Sequence, residues 1–180
     1  MKQALIVVDY QNDFVDGALG FPKAKELEEP ICQKIEQARK EGAEVIFTFD
    51  THGGDYLSTQ EGRKLPVPHC IKGSEGWQLH PEIAGRLTEE PIDKSSFGSV
   101  LLPDILQGIQ NEEPIESITL VGLCTDICVI SNAMILKAYF PEIPILVDAS
   151  CCAGVTPQSH ANALEAMKMC QIEIEGEGEA

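Results

Sequence analysis

The sequence predicts an α/β protein: a Rossmann-like, doubly wound sheet of about six mostly parallel strands with helices on both faces. Short runs of β-branched and other apolar residues alternate with longer segments of helical period, which is the pattern of strand–helix–strand crossovers. The strand runs are apolar at successive positions, as in strands that are buried on both faces. No repeat or linker interrupts the 180 residues, so we expect one domain over residues 1–180.

The first half of the chain supplies two strands around one helix. Residues 4–9 (ALIVVD) and 43–50 (AEVIFTFD) form the predicted strands. A helix is expected over about 24–41, and Pro30 suggests that it starts there, with proline in the first turn. Residues 51–89 have many Gly, Pro and His and no strong period, which is typical of a functional loop region.

The second half continues the alternation. Strands are predicted at about 90–93, 117–123, 143–149 and 171–175, and helices at about 101–110, 126–139 and 157–169. In parallel sheets of this kind, the site lies at the carboxyl ends of the strands, near the switch point in strand order. The polar residues that follow predicted strands, and that we expect at one edge, are Asp9, Asp50, Lys94 and the segment Cys124–Cys128.

Composition narrows the class of function. The net charge of −16 argues against nucleic acid and against an anionic membrane surface as partners. No stretch is long and apolar enough for a membrane helix or a signal peptide, which predicts a cytoplasmic location. Seven cysteines without a secretory signal argue against a disulfide framework. The adjacent pair Cys151–Cys152 is interpreted as structural, because neighbouring cysteines form a strained disulfide.

Three residues are candidates for covalent catalysis. Asp9 ends a buried strand, where an acid is costly unless it is paired or faces a cleft. Lys94 opens KSSFGS and could hold that carboxylate ionised and stabilise a developing anion. Cys128 lies in GLCTDICV at a predicted helix start, which favours a thiolate. Cys124 is the rival nucleophile, and taken singly each residue also has a structural explanation.

A second group of residues offers ligands to a divalent metal. Asp50 and His52 form an Asp-x-His pair after a strand, and His69 follows in the same irregular region. Two histidines and a carboxylate suit Zn, Mn or Fe(II) and leave positions for water or substrate. Glu61 could add an oxygen ligand. The alternative is that one histidine is structural and the other is exposed.

These motifs resemble a known family. Asp9 in VVDYQNDF, Lys94 after a strand and Cys128 in GLCTDICV resemble the isochorismatase-like cysteine hydrolases, in this order and along essentially the whole chain. DTH at 50–52 and PHCIKGSEG at 68–76 are similar to the metal-bearing nicotinamidase/pyrazinamidase branch.

The resemblance implies a role for each residue. Cys128 would be the nucleophile, Asp9 would accept its proton, and Lys94 would assist Asp9 and the oxyanion. Backbone amides of Cys124 and Cys128 would form the oxyanion hole, after a cis peptide between Leu123 and Cys124. The metal, most simply zinc, would be held by Asp50, His52 and His69, with Glu61 as an extra carboxylate ligand.

The resemblance also implies a reaction. A small amide, nicotinamide or a similar aromatic amide, would be cleaved to an acid and ammonia through a thioester. Phe14 or Trp77 would supply a ring platform for the substrate, beside Ile127. Because Pro66 and Ile127 stand where nicotinamidases tend to carry aromatic residues, a ureido, carbamoyl or aliphatic amide substrate is the alternative. A non-enzymatic thiol or metal sensor is the second alternative, and a homo-oligomer is compatible with the family.

Overall fold

The central feature of the fold is a single all-parallel sheet. The computed structural model describes residues 1–178, and in this part of the chain the strand order is β3-β2-β1-β4-β5-β6. The strands are β1 (Lys2–Val8), β2 (Glu44–Asp50), β3 (Ile92–Lys94), β4 (Ile115–Leu123), β5 (Ile145–Ala153) and β6 (Glu173–Glu175). The predicted fold class, a doubly wound sheet of about six mostly parallel strands, is confirmed.

Helices connect the strands and cover both faces of the sheet. They are α1 (Asn12–Val15), α2 (Pro22–Glu26), α3 (Glu28–Lys40), α4 (Gln60–Lys64), α5 (Pro81–Ala84), α6 (Leu102–Glu112), α7 (Ile130–Tyr139) and α8 (Pro157–Met169). A 3-10 turn at Tyr56–Ser58 precedes α4, and a π-helical turn at Thr125–Val129 precedes α7. The two faces therefore have separate apolar cores.

Each core joins one face of the sheet to its own helices. On one face, α6, α7 and α8 pack on the sheet through residues such as Leu106, Leu136 and Met167. On the other face, the first three helices and α5 pack through residues such as Ile31 and Ile83. Alternate residues of the buried strands feed the two cores, which is why their sequences are apolar at successive positions.

The strand order reverses at the centre of the sheet. The chain runs from β1 outward through β2 to β3, and then returns to β4 on the other side of β1. Strands β1 and β4 are therefore neighbours, paired from Gln3 with Ser117 to Val8 with Gly122. The crevice outside the carboxyl ends of β1 and β4 is the switch point, where ligands bind in open sheets of this type.

The elements differ from the sequence predictions at several places, and the predicted helix over 126–139 begins as the π-helical turn Thr125–Val129. The helix expected over 24–41 is split into α2 and α3, with Pro30 in the first turn of α3 as predicted. The segment 51–89 is not wholly irregular, because it contains one 3-10 turn and two short helices. Strand β5 continues to Ala153 rather than ending near 149, since the register shift beside Gly122 keeps its end paired with β4.

No helix within residues 1–178 combines the length and the apolar character that crossing a bilayer requires. The predicted cytoplasmic location and the predicted homo-oligomer stay predictions.

Candidate active site

Four strand ends bring the predicted catalytic residues together. Lys94, the last residue of β3, places its Nζ 2.6 Å from Asp9 Oδ2, 3.3 Å from Asp50 Oδ1 and 3.5 Å from Cys128 Sγ. Asp9 follows β1, Asp50 ends β2, and Cys128 lies in the π-helical turn after β4. All four side chains are buried, and the ammonium group of Lys94 is the contact that they share.

The local chain path at this edge depends on close contact between the two central strands. Gly122 has φ +119°, and a Cβ there would collide with the backbone carbonyl of Val8. Asp9, the next residue after Val8, takes the left-handed conformation with φ 47°, which Asp tolerates better than most residues. The peptide between Leu123 and Cys124 is cis, as the family resemblance implied.

Asp9 is a fully buried carboxylate beside a buried ammonium group. Burial raises the pKa of Asp9 to about 6, against the opposing effect of the Lys94 ammonium group. Thr48 Oγ1 donates to Asp9 Oδ1 at 2.7 Å. Asp9 Oδ2 lies beside Lys94 Nζ but accepts no well-aligned hydrogen bond. Oδ1 is thus occupied by the Thr48 hydroxyl, and Oδ2 by contact with the Lys94 ammonium group.

Lys94 carries the positive charge of the site. Burial would lower the pKa of Lys94, but the negative charges of Asp9 and Asp50 outweigh it and raise the pKa above its ordinary value. Its Nζ also donates to the Ser96 carbonyl at 3.0 Å. The lysine is thus an ammonium ion with a fixed position between a carboxylate and a thiol.

Cys128 is a neutral thiol in the resting site. Burial raises its pKa well above the ordinary value, and the charge of Asp9 adds to this effect. The effect of the first-turn amides, which the sequence predicts to favour a thiolate, is thus opposed by desolvation. The thiol must therefore lose its proton when it reacts. Asp9 and the Cys128 sulfur contact the same Lys94 ammonium group, and the transfer of the proton to Asp9 stays a prediction.

Cys124, the rival nucleophile, differs from Cys128 in its contact with Lys94. Burial raises its pKa to about 12, and the Lys94 amine is hydrogen-bonded to the sulfur of Cys128. The carbonyl of Cys124 accepts from the backbone N–H of Ile127 and of Val129, which forms the turn that carries Cys128. The backbone oxyanion hole from Cys124 and Cys128 stays a prediction.

The predicted metal ligands converge beside this cluster. Asp50 Oδ2 is 3.1 Å from His52 Nε2 and 3.4 Å from His69 Nε2. Glu61 Oε1 lies 3.6 Å from His52 Nε2 and 3.7 Å from His69 Nε2. The ligand atoms of Asp50, His52 and His69 all lie within 4.8 Å of one another, and these three residues are buried.

The chemistry of these donors fits a divalent ion. His69 Nδ1 is 2.8 Å from the Val67 carbonyl; a carbonyl only accepts, so Nδ1 carries the proton and the Nε2 lone pair faces the cluster. Tyr56 is fully buried, with its ring centroid 4.7 Å from that of His52 and 5.0 Å from that of His69. Two imidazoles and one or two carboxylates with fixed orientations form a site of the kind that binds zinc.

Two polar residues that sequence reasoning did not single out orient this site. Gln11 Oε1 accepts from the Asp50 backbone N–H at 2.7 Å, and its Nε2 donates to the Asp50 carbonyl at 2.9 Å. Asp13 Oδ2 accepts from the backbone N–H of Cys70 at 2.8 Å, next to His69. The dense run of acid and amide in DYQNDF was the available signal, but only the fold shows which backbone each residue binds.

The predicted substrate-contacting residues have different surroundings. Phe14 packs edge-on to His69, with ring centroids 5.5 Å apart. Trp77 packs on Phe49 and donates from Nε1 to Thr51 Oγ1 at 2.8 Å. Ile127 is half-buried between the two cores, one residue before Cys128. Phe14 thus lies beside the predicted metal ligand His69, and Ile127 lies beside Cys128. Contact of Phe14, Trp77 and Ile127 with the substrate stays a prediction.

The adjacent cysteines Cys151 and Cys152 lie on opposite faces of the sheet. Cys151 belongs to the core under α3, and Cys152 belongs to the core under α8. Successive side chains of a strand point in opposite directions, so a disulfide between them would require β5 to break. This arrangement agrees with the interpretation that the pair is structural.

Comparison with known proteins identifies the family. The Isochorismatase domain model matches residues 3–176, and the chain belongs to the isochorismatase family. An uncharacterized isochorismatase family protein PncA of Bacillus subtilis is 33% identical, over 91% of this chain and 93% of that protein. The nicotinamidase/pyrazinamidase of Mycobacterium tuberculosis is 28% identical, over 96% of this chain and 97% of its own length.

A solved structure agrees with both results. The crystal structure of nicotinamidase/pyrazinamidase PncA from Bacillus subtilis has a TM-score of 0.83 and 29% identity, and covers 97% of this chain and 100% of that one. The predicted relationship to the nicotinamidase branch is therefore confirmed. These relatives indicate a hydrolase that acts on carbon–nitrogen bonds other than peptide bonds, which is the enzyme class that the sequence predicts.

Proposed function

We propose that this protein is a metal-associated cysteine amidohydrolase that cleaves a small amide to an acid and ammonia. The observation that carries the proposal is the position of Lys94 Nζ, 2.6 Å from a carboxylate oxygen of Asp9 and 3.5 Å from the sulfur of Cys128. A nucleophile, a base and a fixed cation within contact distance are the parts that covalent acyl transfer requires.

The first half-reaction forms a thioester. Asp9 Oδ2 takes the proton of Cys128, and the thiolate attacks the amide carbonyl carbon. The backbone amides of Cys124 and Cys128 donate to the oxyanion, and the ammonium group of Lys94 lowers the energy of the negative charge as it moves from Asp9 to sulfur. The C–N bond then breaks, and ammonia leaves with the proton that Asp9 returns.

The second half-reaction hydrolyses the thioester. Asp9, ionised again, takes a proton from water, and the resulting hydroxide attacks the acyl carbon. The C–S bond breaks, the acid leaves, and the sulfur regains its proton from Asp9. One amide and one water are consumed for each acid and ammonia released, and the site returns to a neutral thiol beside an ionised carboxylate.

The predicted metal ligands adjoin the reacting groups through Asp50. Its Oδ1 faces Lys94 Nζ and its Oδ2 faces the two imidazoles, so one carboxylate joins the catalytic group to the metal ligands. Zinc suits this donor set best, although Mn and Fe(II) accept the same ligands. When bound by Asp50, His52 and His69, the ion would supply a Lewis acid to the substrate.

Metal binding has a direct test with a matched control. Replacing His52→Ala should weaken zinc binding on the order of 100-fold or more, and replacing Glu61→Gln should weaken it roughly 10-fold. His160→Ala is the control, because the ring of His160 contacts Thr125 instead. Competition with a chromophoric chelator measures each affinity. Zinc binding by His52→Ala that equals the control would contradict this ligand set.

The ionisation of Asp9 predicts how activity depends on pH. The base must be unprotonated in the free enzyme, and its pKa is raised to about 6. The value of kcat/KM should therefore rise through pH 6 and level off above it. Thr48→Val removes a hydrogen bond that lowers the pKa of Asp9, so the variant's profile should move to higher pH. An unshifted profile would mean that the rise of kcat/KM reports the ionisation of a group other than Asp9.

The substrate we propose is nicotinamide or a similar small aromatic amide. The names of the relatives from Bacillus subtilis and Mycobacterium tuberculosis support it, and so does the Phe14 ring beside His69. The half-buried apolar side chain of Ile127 and the exposed position of Pro66 leave room for a second candidate class, namely ureido, carbamoyl or aliphatic amides.

Ammonia release by zinc-loaded protein tests the proposal. Nicotinamide, pyrazinamide, an aliphatic amide and a carbamoyl amino acid form the panel, with product acid measured in parallel. We expect the aromatic amides to be hydrolysed fastest. Hydrolysis confined to the other compounds would replace the substrate and keep the reaction class. No hydrolysis of any compound by folded, metal-loaded protein would contradict the amidase assignment and favour a thiol or metal sensor.

A further inference from the structure

A fully buried asparagine links the nucleophile to the segment that follows the lysine. Asn132 lies in α7, one turn after Cys128, and none of its side chain reaches solvent. Its Nδ2 donates to the Cys128 carbonyl at 2.8 Å and to the Phe97 carbonyl at 3.3 Å. Its Oδ1 accepts from the Ser99 backbone N–H at 2.9 Å. Every hydrogen of its amide group is thus used.

This placement is stable only because the amide group has hydrogen-bond partners. Asparagine is a poor helix former, and an amide buried without partners costs about 2–7 kcal/mol. The residues around it in the same core, Val129, Ala133 and Leu136, are all apolar. A leucine at position 132 would match these apolar neighbours but would leave the buried Ser99 N–H without the acceptor that Asn132 provides, so apolar packing does not explain the asparagine.

The segment that Asn132 holds also fixes the catalytic lysine. Lys94 Nζ donates to the carbonyl of Ser96, and Asn132 binds the next turn of chain at Phe97 and Ser99. The segment lies flat against α7, because a Cβ at Gly98 would be 2.5 Å from Ile135 Cδ1. Asn132 therefore connects the chain that carries Lys94 to the turn that carries Cys128.

We infer that Asn132 is a positioning residue, which sets the separation between the Lys94 amine and the Cys128 sulfur through its bonds to residues 97–99 and 128. It touches no reacting atom and acts only through the two groups it joins. The inference rests on the proposed function for its catalytic consequence, but the geometric consequence concerns the thiol and does not depend on which substrate is cleaved.

The catalytic consequence is a loss in kcat. Asn132→Leu keeps the number and branching of the side-chain heavy atoms and removes the tether, so kcat should fall roughly 10- to 100-fold while KM changes little, as expected when reacting groups are misplaced by about 1 Å. Asn132→Ser can still donate to the carbonyl four residues back but cannot reach residues 97–99. It should show the same loss, and a wild-type kcat in this variant would overturn the inference.

The control separates positioning from general destabilisation. Leu136→Ala removes a fully buried side chain one turn further along the same helix, and should cost about 2–5 kcal/mol of stability without moving Lys94. We expect Leu136→Ala to keep the wild-type kcat at a temperature where it is folded. Equal losses of kcat in Leu136→Ala and Asn132→Leu would mean that Asn132 is merely structural.

A second readout needs no turnover. The rate at which iodoacetamide alkylates Cys128, followed on its own peptide by mass spectrometry, reports the thiolate fraction as a function of pH. In Asn132→Leu, the profile should move to higher pH, because the ammonium group is no longer held near the sulfur. If wild-type protein hydrolyses no amide, the proposed function fails while this profile still decides the inference. An unchanged profile in folded Asn132→Leu would overturn it.

Discussion

Cys128→Ala is expected to lower the rate of amide hydrolysis on the order of 10⁴-fold or more, while the protein stays folded. The loss is this large because the thioester route needs the sulfur at every turnover, and the remaining groups of a catalytic unit contribute little without their nucleophile. Removing one buried sulfur should reduce the free energy of unfolding by only about 1 kcal/mol. Ammonia release and urea unfolding measure the two effects separately.

The chain offers a matched control for this substitution. Cys32 is also a buried cysteine, but it lies in α3, in the core on the opposite face of the sheet from Cys128. Cys32→Ala should lose a similar small amount of stability and keep the wild-type rate. Activity in Cys128→Ala within about 10-fold of the wild type would contradict covalent catalysis by this residue, and Cys124 would become the candidate nucleophile.

Lys94→Met is expected to destabilise the fold strongly as well as to abolish activity. Its side chain is 1% exposed and faces two buried carboxylates, those of Asp9 and Asp50. Removing one partner of a buried ion pair costs about 3–5 kcal/mol, because the remaining charge has no compensation. Urea unfolding with zinc held at a fixed concentration measures the loss of free energy, since zinc neutralises part of the charge on Asp50.

A second substitution identifies the cause of that loss. In the double variant Asp9→Asn, Lys94→Met, the stranded carboxylate is gone, and at least about 2 kcal/mol of stability should return. Asp9→Asn by itself leaves Lys94 paired with Asp50, so it should destabilise less than Lys94→Met. If the double variant is no more stable than Lys94→Met, the lost stability comes from packing of the lysine side chain rather than from the ion pair.

The sequence predicted the site best where a charged residue ends or follows a buried strand. Asp9, Asp50 and Lys94 each follow or end a buried strand, and the rule that sites form at the carboxyl edge of a parallel sheet was enough to bring them together. The metal ligands His52 and His69 lie in a variable loop region. Their convergence could be proposed from residue type, but only the folded chain shows their orientation.

The features that sequence reasoning missed depend on long-range contacts. Gln11 binds the backbone of Asp50, and Asn132 binds residues 97 and 99. No motif in the sequence indicates that these distant residues meet. The ionisation of Cys128 also depends on long-range contacts. The helix start is a local feature that the sequence reveals, whereas the burial that raises the thiol pKa depends on how the whole chain packs.

The central claim is that the acyl group of the substrate passes through the sulfur of Cys128. Acid quenching of zinc-loaded protein during turnover of the best amide in the panel, followed by peptide mapping by mass spectrometry, tests it most directly. We predict the substrate's acyl group on the peptide that contains Cys128, in amounts that fall once the amide is exhausted. An acyl group on another cysteine, or turnover by Cys128→Ala at the wild-type rate, would contradict the account.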